Sequence, residues 1–392
     1  MKNELKLVVC LATAFSAQAF AQNESPSLEP INRAALDGAP IAYIYVSSTP
    51  ASGANNEVEA FAASKTGELA PIAGSPFQEN VTSMAVNGKY LFAANSNGFD
   101  IDSYLMEPDG ALSYVTSFNA ANSEDCNFLG PLFLDHTGST LYDMEFNGSG
   151  CSNNTYQSFT LNKTNAHLLQ LGNSGPNTWL NLPASFIGNN QYAYSAACSG
   201  NMYWGIYGFK RESNGMLTQA EISATPPSAP TGYFYCPSQA AADPSNHVAI
   251  AMQPVNQQTF SPDKPPQLAT FTAAANGNLS TSSTARNMPE TSVGSVTDLN
   301  MAPSGKLLAV AGTGGLQVFH FNGASPITGY TGLLTTDEID QFFWDNQNDL
   351  YAISRTAGKL FVFTITPSGY HQAPGSPYSV GHPQNIIVQP KS

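Results

Sequence analysis

An all-β architecture of repeated four-stranded units is what this sequence predicts, on three observations. Charged residues make up only 11% of the 392 residues, while Gly and Pro number 32 and 27. Apolar and polar residues alternate over short runs bounded by turn formers, the period of strands with one buried face. One unit, an aromatic-ended strand followed by a turn and a glycine, recurs along the chain. Globular chains carry about 25% charged residues, so the low value excludes helical bundles and coiled coils, whose surfaces depend on Glu, Lys and Arg. Fourteen basic and 28 acidic residues give a formal charge of −14, which repels nucleic acid and anionic membranes. Neither is expected as a partner, and a soluble monomer is.

The N-terminus reads as an export signal. Lys2 and Lys6 flank a short polar start, an apolar run spans Leu7 to Phe15, and Ala19-Phe20-Ala21 fits the small-x-small cleavage pattern, with Ala17-Gln18-Ala19 as second choice. Leu7-Val8-Val9-Cys10 approaches a lipoprotein box, but Val9 is bulky where a small residue is needed. No later stretch reaches the roughly 18 apolar residues of a membrane span. We expect residues 1–21 to be a signal peptide, 22–40 a polar, flexible leader, and 41–392 a single domain, periplasmic or extracellular.

From Ile41 onward the chain repeats. Phe61 to Gly67 with Leu69, Tyr104 to Gly110 with Leu112, Phe209 to Gly215 with Leu217, and Phe271 to Gly277 with Leu279 share one spacing. In Phe159 to Asn165 the glycine is replaced by Asn, which also tolerates a left-handed backbone. Phe363 to Gly369 lacks the Leu, and Phe319 is followed by a shortened turn at Asn322-Gly323. These aromatics lie 43 to 62 residues apart, the period of an array of β units. Between them runs a second pattern of two apolar strands joined by a polar turn, as in Met84-Ala85-Val86, Asn87-Gly88-Lys89, Tyr90 to Ala94, and again around Leu299 to Ala311.

Together the patterns make six complete four-stranded units and one split unit. Ile41 to Val46 is a second strand with no first strand before it; Ile386-Ile387-Val388 is a first strand with nothing after it. Joining them closes a ring and removes the exposed sheet edges. The expected fold is a seven-bladed β-propeller in which the C-terminal strand lies innermost in the blade begun by the N-terminus.

Gly74-Ser75-Pro76-Phe77 and Gly375-Ser376-Pro377-Tyr378, with Tyr90 to Asn95 and the aromatic-to-glycine hairpins, resemble the secreted lactonase-like and YVTN-type propellers of bacteria over roughly residues 41 to 390. The resemblance implies the propeller fold and, for the family's hydrolytic members, sugar-lactone hydrolysis by His residues leading into an early blade and an Arg or Glu near the axis. Here the segment leading into the third unit, Glu124 to Pro131, holds no His, and His136 follows in a turn expected on the opposite face. Fold alone does not set function.

Propellers bind ligands at one mouth of the central channel. Glu79, Asp125, Glu145, Asp298, Asp340, His382 and Arg355 should gather there. Asp298 and Asp340 open equivalent innermost strands; two carboxylates in a narrow mouth push their pKa values apart and suit acid/base work, although each can equally cap local backbone. We take Asp340, Asp298 and His382 as candidate catalytic residues, and Arg355, Glu145 and Asp125 as candidate substrate-binding residues. Arg355 could clamp a carboxylate or pair with Asp337 or Glu338. The six His never fall at i,i+2 or i,i+4 spacing, and no nucleotide, metal or nucleophile-elbow motif occurs, so neither metal nor cofactor is expected.

Cleavage removes Cys10 and leaves four cysteines, an even number for an oxidising compartment. The positions predict Cys126–Cys151 and Cys198–Cys236, with 126–198 as the competing contact. Trp179, Tyr203-Trp204, Tyr233-Phe234-Tyr235 and Phe342-Phe343-Trp344 either form a binding surface or fill wedges between blades. The proline-rich connection Gln253 to Gln267 is a lid or an exposed loop. The functional expectation is a small molecule, glycan or protein bound at the mouth; the alternatives are a 6-phosphogluconolactonase-like hydrolase and an envelope interaction scaffold.

Overall fold

The computed structural model describes residues 38–391 other than 51, 52, 54, 121–126, 148–154, 174–181 and 200–202. No helix occurs among the described residues. β1 (Ala42–Thr49), β2 (Glu57–Ala63) and β3 (Leu69–Pro71) belong to blade 1. Blade 2 is β4 (Val81–Asn87), β5 (Tyr90–Asn95), β6 (Asp100–Met106) and β7 (Leu112–Asn119). Blade 3 has its innermost strand in two pieces, β8 (Asn127–Phe128) and β9 (Leu132–Leu134), followed by β10 (Thr140–Asn147), β11 (Thr155–Leu161) and β12 (Leu168–Asn173). Blade 4 is β13 (Ser185–Phe186), β14 (Tyr192–Ser199), β15 (Tyr203–Arg211) and β16 (Leu217–Ala220); blade 5 is β17 (Tyr233–Ala242), β18 (His247–Asn256), β19 (Gln267–Ala273) and β20 (Leu279–Ser280). Blade 6 is β21 (Val296–Met301), β22 (Leu307–Gly312), β23 (Gly315–Asn322) and β24 (Ser325–Thr335). Blade 7 is β25 (Gln341–Trp344), β26 (Asp349–Ser354), β27 (Lys359–Thr366) and an outer strand in two pieces, β28 (Gly369–Gln372) and β29 (Tyr378–Ser379). β30 (His382–Pro390) then returns to blade 1 and pairs antiparallel with β1, from Ala42↔Pro390 to Thr49↔His382.

The seven-bladed, all-β ring with C-terminal closure is therefore as the repeat predicts. The interior is seven apolar clusters, each bridging two neighbouring blades, rather than one central core. Phe342 and Trp344, 0% and 5% exposed, fill the wedge between blades 6 and 7, so these aromatics are packing rather than surface.

The aromatic-to-glycine spacing has a cause at these joints. The amides of Gly67, Gly110, Gly215 and Gly277 each close the same turn onto the residue three before, and each glycine holds a positive φ. The turn also abuts the preceding blade: a Cβ on Gly110 would lie 2.6 Å from Ile72 and 2.8 Å from the Tyr43 ring, and one on Gly277 2.6 Å from Tyr192. Tyrosines of the second strands reach across and donate to the carbonyls of these glycines, Tyr45 to Gly110 (2.9 Å), Tyr142 to Gly215 (2.7 Å) and Tyr194 to Gly277 (2.8 Å). In blade 3 the left-handed residue is Ala166 (φ 60°), not the expected Asn165, because the turn is one residue longer and closes from Ala166 N–H to Asn162. In the two Gly-Ser-Pro-aromatic segments, Ser75 and Ser376 accept the amides of Ala60 and Val362, both at 2.9 Å.

Candidate functional site

Counting inward from the repeated aromatics through the cross-strand pairs superimposes the blades residue by residue. Phe319 faces Leu308, which faces Met301; Phe363 faces Leu350, which faces Trp344. Three residues before Met301 stands Asp298, and the equivalent positions in blades 1 to 5 and 7 are Asn385, Ser83, Pro131, Pro183, Gln239 and Gln341. All seven line one cavity of about 480 Å³ at the mouth of the channel.

These positions form a belt that ties each blade to the next. Asn385 accepts the amide of Met84, Ser83 that of Leu132, Asp298 that of Phe342 and Gln341 that of Ile386, at 2.9 to 3.1 Å. Gln239 donates instead, through Nε2 to the Thr297 carbonyl at 2.9 Å. Proline fills the position in blades 3 and 4. The structural task is thus met by Ser, Gln or Asn elsewhere in the ring, and Asp298 is the single carboxylate among the seven.

Asp298 is half-buried and borders the cavity. Its Oδ1 accepts the Leu299 amide (2.8 Å) and its Oδ2 the Phe342 amide (3.1 Å). Burial outweighs these two bonds and pushes its carboxyl up to about 7. Asp340 also lines the cavity, one register position nearer the rim and equivalent to Thr297 rather than Asp298. The two stand at the openings of the equivalent innermost strands β21 and β25, but not at equivalent positions along them, Asp298 lying one residue further into its strand. Asp340 Oδ2 accepts the backbone amide of Arg355 at 2.7 Å.

Arg355 follows β26 at the rim of the same cavity, exposed, with Nε and an Nη directed to the carbonyls of Pro383 and Gln384 (3.3 and 3.5 Å). It does not pair with Asp337, which Lys359 holds at 3.0 Å. His382 and Glu79 are not among the residues that line this cavity. His382 is exposed at the start of β30, opposite Thr49. Glu79 accepts the Tyr104 hydroxyl at 2.8 Å, at the joint of blades 1 and 2. Glu145 lies in β10 opposite Thr155, and Asp125 lies outside the described residues. Sequence reasoning missed Ser83, Gln239, Gln341 and Asn385; the available signal was a polar residue at one fixed offset from each repeated aromatic.

Cys198 and Cys236 form a disulfide, Cα to Cα 5.2 Å. They sit within β14 and β17 rather than beyond their ends, since both strands extend further toward the mouth than their apolar runs. Cys126, Cys151 and Trp179 fall outside the described residues. The proline-rich connection is braced: Gln253 donates to the Lys264 carbonyl (2.8 Å), Tyr233 and Asn256 donate to Asp263 (3.3 and 3.2 Å), and the Lys264 ammonium lies over the Tyr233 ring.

The ring, the belt and the cavity define a seven-bladed propeller with a cleft at one mouth lined by both polar and apolar side chains. No protein-family model and no curated protein sequence matches the chain. Solved structures do share its fold. A candidate 6-phosphogluconolactonase from Bacteroides uniformis superposes with TM-score 0.63 at 13% identity, covering 88% of this chain and 99% of that one. A second candidate 6-phosphogluconolactonase, from Bacteroides fragilis, gives 0.61 at 14% identity over 88% and 97%, and a Lactobacillus plantarum protein 0.59 at 11% over 88% and 99%.

Proposed function

We propose that the protein binds a small polar molecule of sugar-lactone or sugar-acid size in the mouth cavity, with Asp298 as the proton acceptor at its base. One observation carries this reading: a carboxylate occupies the belt position that neutral residues fill in every other blade, and its environment poises it near neutral pH, where a general base works best. Asp340 is the second carboxylate of the cleft, and Arg355 at the rim is placed to meet an anionic end of a ligand. His382, Glu145 and Asp125 have no part in this reading. The candidate activity attached to the two Bacteroides neighbours fits the size of the cavity, while their likeness speaks for the fold. Export follows from the N-terminal signal and agrees with the Cys198–Cys236 disulfide.

The same observation favours hydrolysis over binding alone. Asp298 would take a proton from water as its oxygen adds to the lactone carbonyl, then return it to the ring oxygen as the C–O bond breaks, leaving a hydroxy acid. A lactone-hydrolysis screen by pH-stat, with aldonolactones and acyl lactones, tests this. Turnover should rise with pH through about 7 as the base ionises, and D298N should remove it by 100-fold or more, about the contribution of a positioned base, with the fold retained because Asn keeps an oxygen for one of the two amides that Asp298 accepts. No turnover on the panel refutes the hydrolase; no turnover and no saturable binding of aldonic acids by calorimetry refutes the site.

A further inference from the structure

Away from the mouth, the turn between the innermost and second strands carries an aspartate in three blades: Asp135, Asp243 and Asp345. Each carboxylate accepts backbone amides of its own turn, from Ser139 and Thr140, from Ser245 and His247, and from Gln347 and Asp349. In two of the three a basic side chain completes the site. Arg211, reaching over from blade 4, lies 2.9 Å from Asp135, and His247 lies 2.9 Å from Asp243. Burial would raise both carboxyls, but their hydrogen bonds outweigh it and hold each below the usual range.

Blade 7 breaks the pattern. Where blade 4 offers Arg211, two residues past its repeated aromatic, blade 1 offers Ala63; where blade 5 has His247, blade 7 has Asp349. Asp345 and Asp349 are each 1% exposed. Neither oxygen of Asp349 has a partner at full hydrogen-bond geometry; the hydroxyl of Thr364, its neighbour across the strand pair, lies near enough to act on it without closing such a bond. The adjoining turns in blades 1 and 6 carry Lys65, Glu68 and Lys306, but among the described residues no Lys, Arg or His nitrogen comes within 4.0 Å of either carboxylate. The ionisable groups acting on this site are the two aspartates themselves, Tyr351 and, through Tyr351, Tyr378 of β29.

Two ionised carboxylates at this depth with one unpartnered are strongly disfavoured. A positive charge is missing. Calcium would want six to eight oxygens, and the site offers two carboxylates and a hydroxyl. We infer that Asp345 and Asp349 share one proton in the folded protein and make the joint between blades 7 and 1 a pH-sensitive latch. Burial pushes Asp349 up to about 7, Asp345 adding to the rise and Thr364 opposing it, and burial also raises Asp345 despite its hydrogen bonds.

The latch lies on the joint itself. Tyr351, buried in the cluster shared by blades 7 and 1, occupies the position of Tyr45, Tyr142 and Tyr194 but donates to Asp345 Oδ2 (3.1 Å) instead of to the next blade. Between the unfolded and folded carboxyl values, about 4 and about 7, the native state binds the extra proton. The stabilisation is present at low pH and fades as pH rises through that window.

The test uses the D298N protein, which removes the other carboxyl poised near neutral. Its apparent melting temperature should fall from pH 5 to pH 8. Adding D349N, which keeps the shape without the charge, should match it at pH 4.5, exceed it by about 2 °C or more at pH 8, and abolish most of the fall. Carbon-13 NMR of labelled aspartates in the D298N protein should show a carboxyl titrating near neutrality; if the D349N protein does not fold, this measurement decides alone. No carboxyl titrating there, or a pH slope unchanged by D349N, overturns the inference. So does a melting temperature raised by calcium, magnesium or sodium chloride in D298N but not with D349N added, since the missing charge is then a metal ion.

Discussion

Gly88 and Gly110 both hold left-handed backbone, φ 60° and 89°, yet their surroundings differ. Nothing lies within 4 Å of a Cβ built on Gly88, whereas one on Gly110 would strike Ile72 and Tyr43 of the neighbouring blade. Gly88→Ala should therefore cost about 1–2 kcal/mol, the penalty of a left-handed L-residue. Gly110→Ala should cost a further 1–3 kcal/mol or so for overpacking a filled joint. Urea melts of the two variants measure the gap; equal costs would mean that the glycine of the repeat serves its turn alone and not the contact between blades. The same argument separates Asp298 from its belt neighbours. Chain position alone cannot do so, because its amide-accepting role is shared with Ser83, Gln341 and Asn385 while its charge is not.

At the level of strands and hairpins, the sequence made the fold legible and the site only partly so. The spacing from Phe61 to Gly67, Tyr104 to Gly110, Phe209 to Gly215 and Phe271 to Gly277 is the imprint of a contact repeated at four joints, which makes the blades countable in the sequence. The mouth is set by register, which the spacing does not carry. Asp298 stands three residues before Met301 and Asp340 four before its counterpart Trp344, so Asp298 lies one step deeper, and β30, starting at His382, leaves that side chain outside the cleft. The Asp345–Asp349 pair left no mark, since an aspartate in a polar turn is ordinary until the strand pairs show which basic side chains its counterparts hold. The disulfide is an element-scale staple whose strength follows from the 38 residues between its cysteines. Closing a loop of that size is worth about 4 kcal/mol in the chain-entropy account. The C198A/C236A variant should lose about that much in a denaturant melt. A loss below about 1 kcal/mol would show that β14 and β17 already confine their ends without the bond.

For the molecule as a whole, the argument turns on closure. Blades 2 to 7 each arise from one continuous stretch of chain, but blade 1 takes its innermost strand from the far end of the sequence, with β30 paired to β1 over nearly its whole length. Ile386, Ile387 and Val388 are at most 6% exposed. Burying three such side chains contributes about 5–8 kcal/mol, which is comparable to the entire 5–15 kcal/mol stability of an ordinary domain. The same strand supplies Asn385, which accepts the Met84 amide of blade 2 on Oδ1 and donates from Nδ2 to Gln341 Oε1 of blade 7, so its loss opens both the sheet and the belt. A chain ending at Gly381 should therefore lose cooperative unfolding and associate through the bare edge of β1, as exposed edges do, even though every other blade is intact. A synthetic peptide of residues 382–391 added in excess should restore a single transition whose midpoint climbs with peptide concentration, as mass action requires. Calorimetry and light scattering on the truncated protein, with and without the peptide, read both effects. A truncated chain that melts cooperatively as a monomer would show that six blades and the apolar wedges hold the ring without its clasp.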